Sequence, residues 1–186
     1  VNSFPYAVWL IPSGDLCGQL GATVGDLAVR FNAPPFGPHL TLCSGEWAAG
    51  LPALKTAMAG FCRGLAPVWL GVEGFGHTDD FFTFFFIRLI DNNSQRLFER
   101  AASAINSSRP AKVGPHISLL YSDRSPAINR ATAIDRAELV QEITPILPAQ
   151  ISFDSAQLVM PARGDWRDVS SWEVKYSIGL NQANAD

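Results

Sequence analysis

Charge is scarce in this chain of 186 residues, and no stretch of it is basic. Charged residues make up 17%, and 14 Lys and Arg are outnumbered by 17 Asp and Glu, for a formal net charge of -3. A domain that grips long nucleic acid needs a basic stripe or patch, so that class of partner is not expected. A pocket for a short nucleotide needs only a few polar groups and stays open. Cysteine is equally sparse. Cys17, Cys43 and Cys62 are odd in number, and none falls in a C-x-x-C pair or a Cys/His cluster of zinc spacing. They read as core or free thiols, with one disulfide left open. No apolar run approaches the ~18 residues that span a bilayer, so no membrane partner is expected. No basic segment leads into an apolar stretch near Val1, so no signal peptide is read. Histidine is rare too: His39, His77 and His116 are the three.

Two of those three sit in copies of one phrase. Gly37-Pro38-His39-Leu40-Thr41-Leu42 returns 77 positions later as Gly114-Pro115-His116-Ile117-Ser118-Leu119. At 47% hydrophobic, the chain has the material for a substantial core, as one domain or two small fused lobes.

Periodicity places each phrase on a strand. Tyr6 to Ile11, closed by Pro12, reads as a strand. Leu16, Leu20, Val24, Leu27 and Phe31 form a helical stripe over 15–31. Pro34-Pro35 and Gly37-Pro38 then force an extended entry into a strand over 38–44. A helix over 51–63 and a strand from Val68 to Phe75 follow. Asp80 to Ile90, apolar on both faces, reads as a strand covered on both sides. A helix over 94–105, capped by Asn93 or Ser94, precedes the second phrase strand over 113–121. Ser125-Pro126 opens a helix to about Val140. Ile151 to Val159 and Trp172 to Leu180 are the last strands, joined by a polar connection over 165–171. The tail from Asn181 should fray. The pattern predicts an α+β fold over 1–186: two similar lobes made by duplication, with a cleft between the halves.

On a strand, residues i and i+2 share a face. His39 and Thr41 therefore point one way together, as do His116 and Ser118, each pair spanning about 6.5–7 Å. Across a cleft they would offer two imidazoles and two hydroxyls to one phosphate. Hydroxyls donate to non-bridging oxygens. Imidazoles, titrating near neutrality, move protons to and from bridging ones. A cyclic phosphodiester suits in-line displacement there without a metal or other cofactor. A lone H-x-[ST] would mark only a strand with a half-exposed histidine, but two copies inside G-P-H-[LI]-[ST]-L argue otherwise. No Cys, Asp or Glu stands in ligand position in either phrase, so zinc is poorly supported. His77 lacks this context and is expected in a solvated loop.

At these residues the chain resembles the 2H phosphoesterase superfamily (LigT-like proteins), defined by two H-x-[ST]-x phrases. More narrowly it resembles plant and fungal cyclic phosphodiesterases acting on ADP-ribose 1″,2″-cyclic phosphate and nucleoside 2′,3′-cyclic phosphates. Tyr6-Ala7-Val8-Trp9 is similar to that family's opening strand, Phe82-Thr83 to its aromatic strand, Leu119-Leu120-Tyr121 to the end of its second phrase, and Ser171-Trp172-Glu173 to its last strand. The resemblance implies a single bilobal domain over 1–186, with two antiparallel sheets flanked by helices around a central water-filled cleft, and a metal-independent hydrolase. His116 would activate water, His39 would protonate the leaving oxygen, and Thr41 and Ser118 would hold the phosphate. It also implies a cytoplasmic monomer with a small cyclic nucleotide substrate, in RNA metabolism of the tRNA-splicing kind. Tyr121 would line the pocket, which strict alternation forbids unless the strand end bends or bulges. Trp9 and Phe82 are candidate walls for a base or ribose, with core packing the competing role for each aromatic.

Two other functions remain in view. One is an RNA end-processing or 2′-5′ RNA ligase-like enzyme, for which Arg109, Lys112 and Arg124 are the nearby cations. The other is a nucleotide-binding module without chemistry.

Overall fold

The structure, a computed structural model, describes residues 3–90, 94–105, 107–123 and 136–180. Its elements follow the predicted order: β1 (Phe4–Pro12), α1 (Asp15–Phe31), β2 (Leu40–Trp47), α2 (Leu51–Arg63), β3 (Val68–Gly76), β4 (Phe85–Ile90), α3 (Ser94–Ala104), β5 (His116–Leu120), α4 (Arg136–Ile143), β6 (Gln150–Pro161) and β7 (Trp172–Gly179). The fold is α+β. The helix predicted from Ser125 has its first part outside the described residues, as do Asn93, Arg124 and the tail from Asn181.

Helix α1 forms because Leu20, Val24 and Leu27 recur on one buried stripe. It stops at Asn32, whose left-handed backbone (φ 49°) turns the chain out of the helix. Helix α2 starts with Pro52 in its first turn and buries Leu54, Met58 and Cys62.

The strands make one sheet where the resemblance implies two. It is antiparallel, in the order β2-β1-β6-β3-β4-β5, with β7 also paired to β6. Duplication explains the symmetry of that order. A shift of 77 residues carries Trp9 onto Phe86, and His39 onto His116, so β4-α3-β5 repeats β1-α1-β2. The third strand of each repeat is exchanged. β3 pairs with β4 of the second repeat, while β6 pairs with β1 of the first. β3 and β6 then pair with each other through Val68–Gly71 and Gln150–Phe153, which fuses the halves into one sheet. Two separate sheets would leave those strand edges unpaired.

β6 can serve three partners because it is 12 residues long. β1 runs along one edge over Phe153–Val159. The other edge takes β3 up to Phe153 and β7 from Ser155 onward. The phrase strands β2 and β5 fall at the two ends of the path. The sheet curls into a half-barrel that brings those ends into contact.

Alternation sorts the two faces. Tyr6, Val8 and Leu10 of β1 enter the main core with Leu54 and Met58 of α2, Phe98 and Ala101 of α3, and Leu139 of α4. Ala7 and Trp9 face the other way, onto Val159. The aromatic block is shorter as a strand than its composition predicts. Phe81–Thr83 is a 3-10 turn whose Phe82 N–H donates to the Asp80 side chain. From Phe85 the residues alternate, with Phe85, Ile87 and Leu89 buried and Arg88 and Ile90 exposed, so one face is covered and not both.

Phe153 marks the junction where β1 and β3 both meet β6, and it is fully buried. Phe153→Ala should cost about 3–5 kcal/mol by leaving a cavity. Val174→Ala on β7, at a half-exposed site, should stay within about 0.5 kcal/mol. Urea midpoints at constant m-value measure both; equal midpoints would contradict the junction's importance.

Candidate active site

Each phrase strand carries one extra residue at the same place. Against β1, Thr41 pairs with Trp9 but Cys43 pairs with Val8, so Leu42 is unmatched. Against β4, Ser118 pairs with Phe86 but Leu120 pairs with Phe85, so Leu119 is unmatched. These bulges reset the alternation. Leu42 and Cys43 both enter the core, as do Leu119 and Leu120. The next residue returns to the cleft. Tyr121 therefore does line it, by the bulge that strict alternation required. Ser44 lines it at the equivalent place.

The cleft is a cavity of about 240 Å³ whose lining includes His39, Thr41, His116, Ser118, Trp9, Phe82 and Tyr121. All seven residues singled out in the sequence thus meet in one space. His77 does not; it is exposed in the turn after β3.

The glycine of each phrase fixes its histidine. His39 Nδ1 lies 2.7 Å from Gly37 O, and His116 Nδ1 lies 2.9 Å from Gly114 O. A carbonyl oxygen only accepts, so Nδ1 carries the proton and donates in both rings. Each Nε2 is left free for chemistry. Burial disfavours the charged imidazole. His39, 6% exposed, is pushed down to about 4, chiefly by burial, with the charges of His116 and Lys112 adding to it against the Gly37 hydrogen bond. His116 is lowered as well, again chiefly by burial and then by Lys112.

Aromatic rings hold the imidazoles in place. Trp9 stacks flat on His39, with centroids 3.6 Å apart and planes 13° apart. Its counterpart Phe86 leans on His116 at 5.1 Å. Phe86 can lie there because Gly76, its cross-strand partner, has no side chain; a Cβ would come within 2.4 Å of the ring. Phe36 stacks on Tyr121 at 3.7 Å and meets His39 edge-on at 6.2 Å. Trp172 stands edge-on to Trp9 at 5.3 Å, and its indole N–H donates to Trp166 O at 3.0 Å. The connection over 165–171 is thus a wall of the cleft, tied back by an Arg167–Asp123 ion pair.

The two hydroxyls differ. Ser118 Oγ donates to Phe82 O at 2.7 Å and also meets the Tyr121 hydroxyl. Thr41 has no such partner among the described residues. Sequence reasoning missed Ser44, Phe36, Trp166 and the place of Trp172 in the wall. Ser44 was the recoverable one, since it follows His39 by the same five positions that separate Tyr121 from His116. Among the described residues, no group of three His, Cys, Asp or Glu is placed to hold a metal ion, and no helix is long and apolar enough to cross a membrane.

The buried neutral His39 makes stability depend on pH. Its folded value, about 4, lies below the ~6.5 of an unfolded chain. Between these values the unfolded state binds a proton that the folded state refuses. The contribution is therefore complete above about pH 6.5 and is lost as pH falls toward 4, with a slope of up to about 1.4 kcal/mol per pH unit. Urea midpoints at pH 7 and pH 5 should separate for the parent and draw together in His39→Asn. Equal spacing in both proteins would contradict the burial argument.

No protein-family model matches this chain, and no curated protein sequence matches it. Solved structures do. E. coli LigT complexed with 3'-AMP aligns with a TM-score of 0.56 at 16% identity, over 97% of this chain and 100% of that one. E. coli LigT complexed with phosphate gives 0.55 at 15%, over 98% and 100%. A crystal structure of a phosphoesterase gives 0.58 at 13%, over 96% and 99%. The chain shares the LigT fold along nearly its whole length.

Proposed function

We propose that this protein is a 2H phosphoesterase that hydrolyses a small cyclic phosphodiester, with His39 and His116 as its acid and base. The observation that carries this reading is the convergence of the two phrases in one cavity, each with its imidazole Nε2 freed by a glycine carbonyl. The LigT-like fold supports it. Within this class the match at Pro115 to Tyr121 favours a cyclic phosphodiesterase of the plant and fungal kind, acting on ADP-ribose 1″,2″-cyclic phosphate or a nucleoside 2′,3′-cyclic phosphate.

In the proposed step, neutral His116 Nε2 takes a proton from water as the water oxygen bonds to phosphorus. The bond from phosphorus to one ring oxygen breaks in line, and His39 Nε2–H protonates that oxygen. A phosphomonoester forms and the proton has moved from one imidazole to the other. No redox change or metal is required. The flat Trp9 face over His39 is a cation–π geometry, which favours the charged ring in the acid role. The substrate's own negative charge acts in the same direction. Thr41 and Ser118 hold the non-bridging oxygens, Ser118 by turning its hydroxyl away from Phe82 O.

His39→Ala and His116→Ala should each lower kcat by about 10²–10⁴ on these cyclic phosphates while keeping the fold. Full activity in either variant would sink the mechanism. EDTA should leave the rate unchanged, and a loss restored by added metal would refute a two-histidine step. The kcat/KM profile should be bell-shaped. Both imidazoles are lowered in the free enzyme, so the bell should centre on the acid side of about 6.5. Substrate binding should move the kcat profile to higher pH. A flat kcat/KM between pH 5 and 8 would be inconsistent with this pair.

A further inference from the structure

The two half-sites repeat, but what flanks them does not. A shift of 77 residues carries Ala7 onto Phe84 and Ser44 onto Tyr121. Ala7 and Ser44 are cross-strand partners on β1 and β2, and both line the cavity. Their counterparts close the other half. Phe84 is drawn into the main core and does not line the cavity. Tyr121, 3% exposed, stacks on Phe36 and meets Phe81, Phe82 and Trp172 at centroid distances of 5.5, 5.4 and 5.9 Å. Its hydroxyl is taken up by Ser118. Rings thus fill the flank beside Ser118, whereas the flank beside Thr41 holds a methyl group and a hydroxyl.

The Ser44 hydroxyl is free for a ligand. Ser44 is 9% exposed, yet its Oγ has no hydrogen-bond partner among the described residues. A buried hydroxyl in that state is unfavourable unless water or a ligand meets it. The fold does not use this hydroxyl. The loop before β5 is held on β2 through the Ser44 backbone, with Ser107 Oγ donating to Ser44 O at 2.5 Å. A second bond, from Glu46 N to Ser108 Oγ at 2.8 Å, fixes the same loop. The Leu42 bulge returns Ser44 to the cleft face three residues beyond Thr41. The two hydroxyl residues are then about 7–10 Å apart along the strand. That span suits one pentose attached to a phosphate held at Thr41.

We propose that Ser44 is a specificity-determining residue, and that the cavity takes the pentose of its substrate at the Ala7–Ser44 end, with a sugar oxygen bonded to Ser44 Oγ. This rests on the phosphodiesterase reading above. Ala7 leaves room for the sugar ring, and a serine hydroxyl can donate to a sugar oxygen or accept from a sugar hydroxyl. At the other end the Tyr121 ring fills the equivalent place, so the reverse orientation has no room for a sugar. A nearly symmetric pair of half-sites thereby binds an asymmetric substrate in one way.

NMR titration with orthophosphate and with adenosine 3′-phosphate reads the phosphate and the nucleoside separately. The parent should bind the nucleotide about tenfold or more tightly than orthophosphate. Ser44→Tyr gives this end the side chain of the other. There the preference should fall toward one, with orthophosphate still bound. Ser44→Ala adds no bulk and keeps the test independent of whether the tyrosine variant folds. It should weaken the nucleotide by about three- to tenfold, the size of one hydrogen bond, and leave orthophosphate unchanged. In both variants kcat/KM for adenosine 2′,3′-cyclic phosphate should fall with nucleotide affinity. Nucleotide binding unchanged in either variant would overturn the placement, while turnover by the parent would leave the phosphodiesterase reading standing. Equal weakening of both ligands would overturn it too, by putting Ser44 on the phosphate. A parent without turnover whose nucleotide preference still depends on Ser44 would keep the contact and bring down the phosphodiesterase reading.

Discussion

The antiparallel pairing of β3 with β6 is the constraint on which the rest of the structure depends. Each strand belongs to one repeat yet completes the sheet of the other. Four backbone pairs, from Val68–Phe153 to Gly71–Gln150, join the halves. Their position at the middle of the path sends β2 and β5 to its two ends. Curling then brings those ends together. A cleft between ends of one sheet is a by-product of strand exchange, and it makes folding of the core and assembly of the site a single event.

The second device is local. One unmatched leucine in each phrase, Leu42 and Leu119, bulges the strand directly after the hydroxyl residue. The bulge commits two consecutive residues to the core and returns the next to the cleft. Ser44 and Tyr121 owe their positions to it. Without the bulge, Tyr121 would face the core side, and its stacking with Phe36 and its contact with Trp172 would be lost. The same residue types therefore anchor the sheet and aim the lining, which couples stability to site geometry.

The glycine of the phrase has a role that the histidine and hydroxyl alone do not reveal. The glycine carbonyl takes the Nδ1 proton and so sets the tautomer. In the second phrase Gly114 takes a left-handed backbone (φ 69°), which glycine adopts without steric cost. Burial then lowers both imidazoles, His39 to about 4. The repeat is symmetric in sequence, but Trp9 on one side and Phe86 on the other make it asymmetric in chemistry.

Much of this was legible in one dimension. The element order, both long helices and the four central site residues follow from periodicity and from one repeated phrase, because hydrophobic spacing and a kept His-x-hydroxyl are local signals. The aromatic block misled, since Phe81–Thr83 looks like strand but is turned by the Asp80 cap. Strand pairing was not legible, because which edge meets which is decided by whole-sheet hydrogen bonding and not by any local pattern. Hence one sheet stands where two were expected, and Trp166, Trp172 and Phe36 reach the site from distant segments. The sequence by itself determined which groups carry the chemistry and that there are two half-sites. Only the tertiary structure decided that they face one cavity, because facing requires the exchange of β3 and β6 and the curl that follows from it.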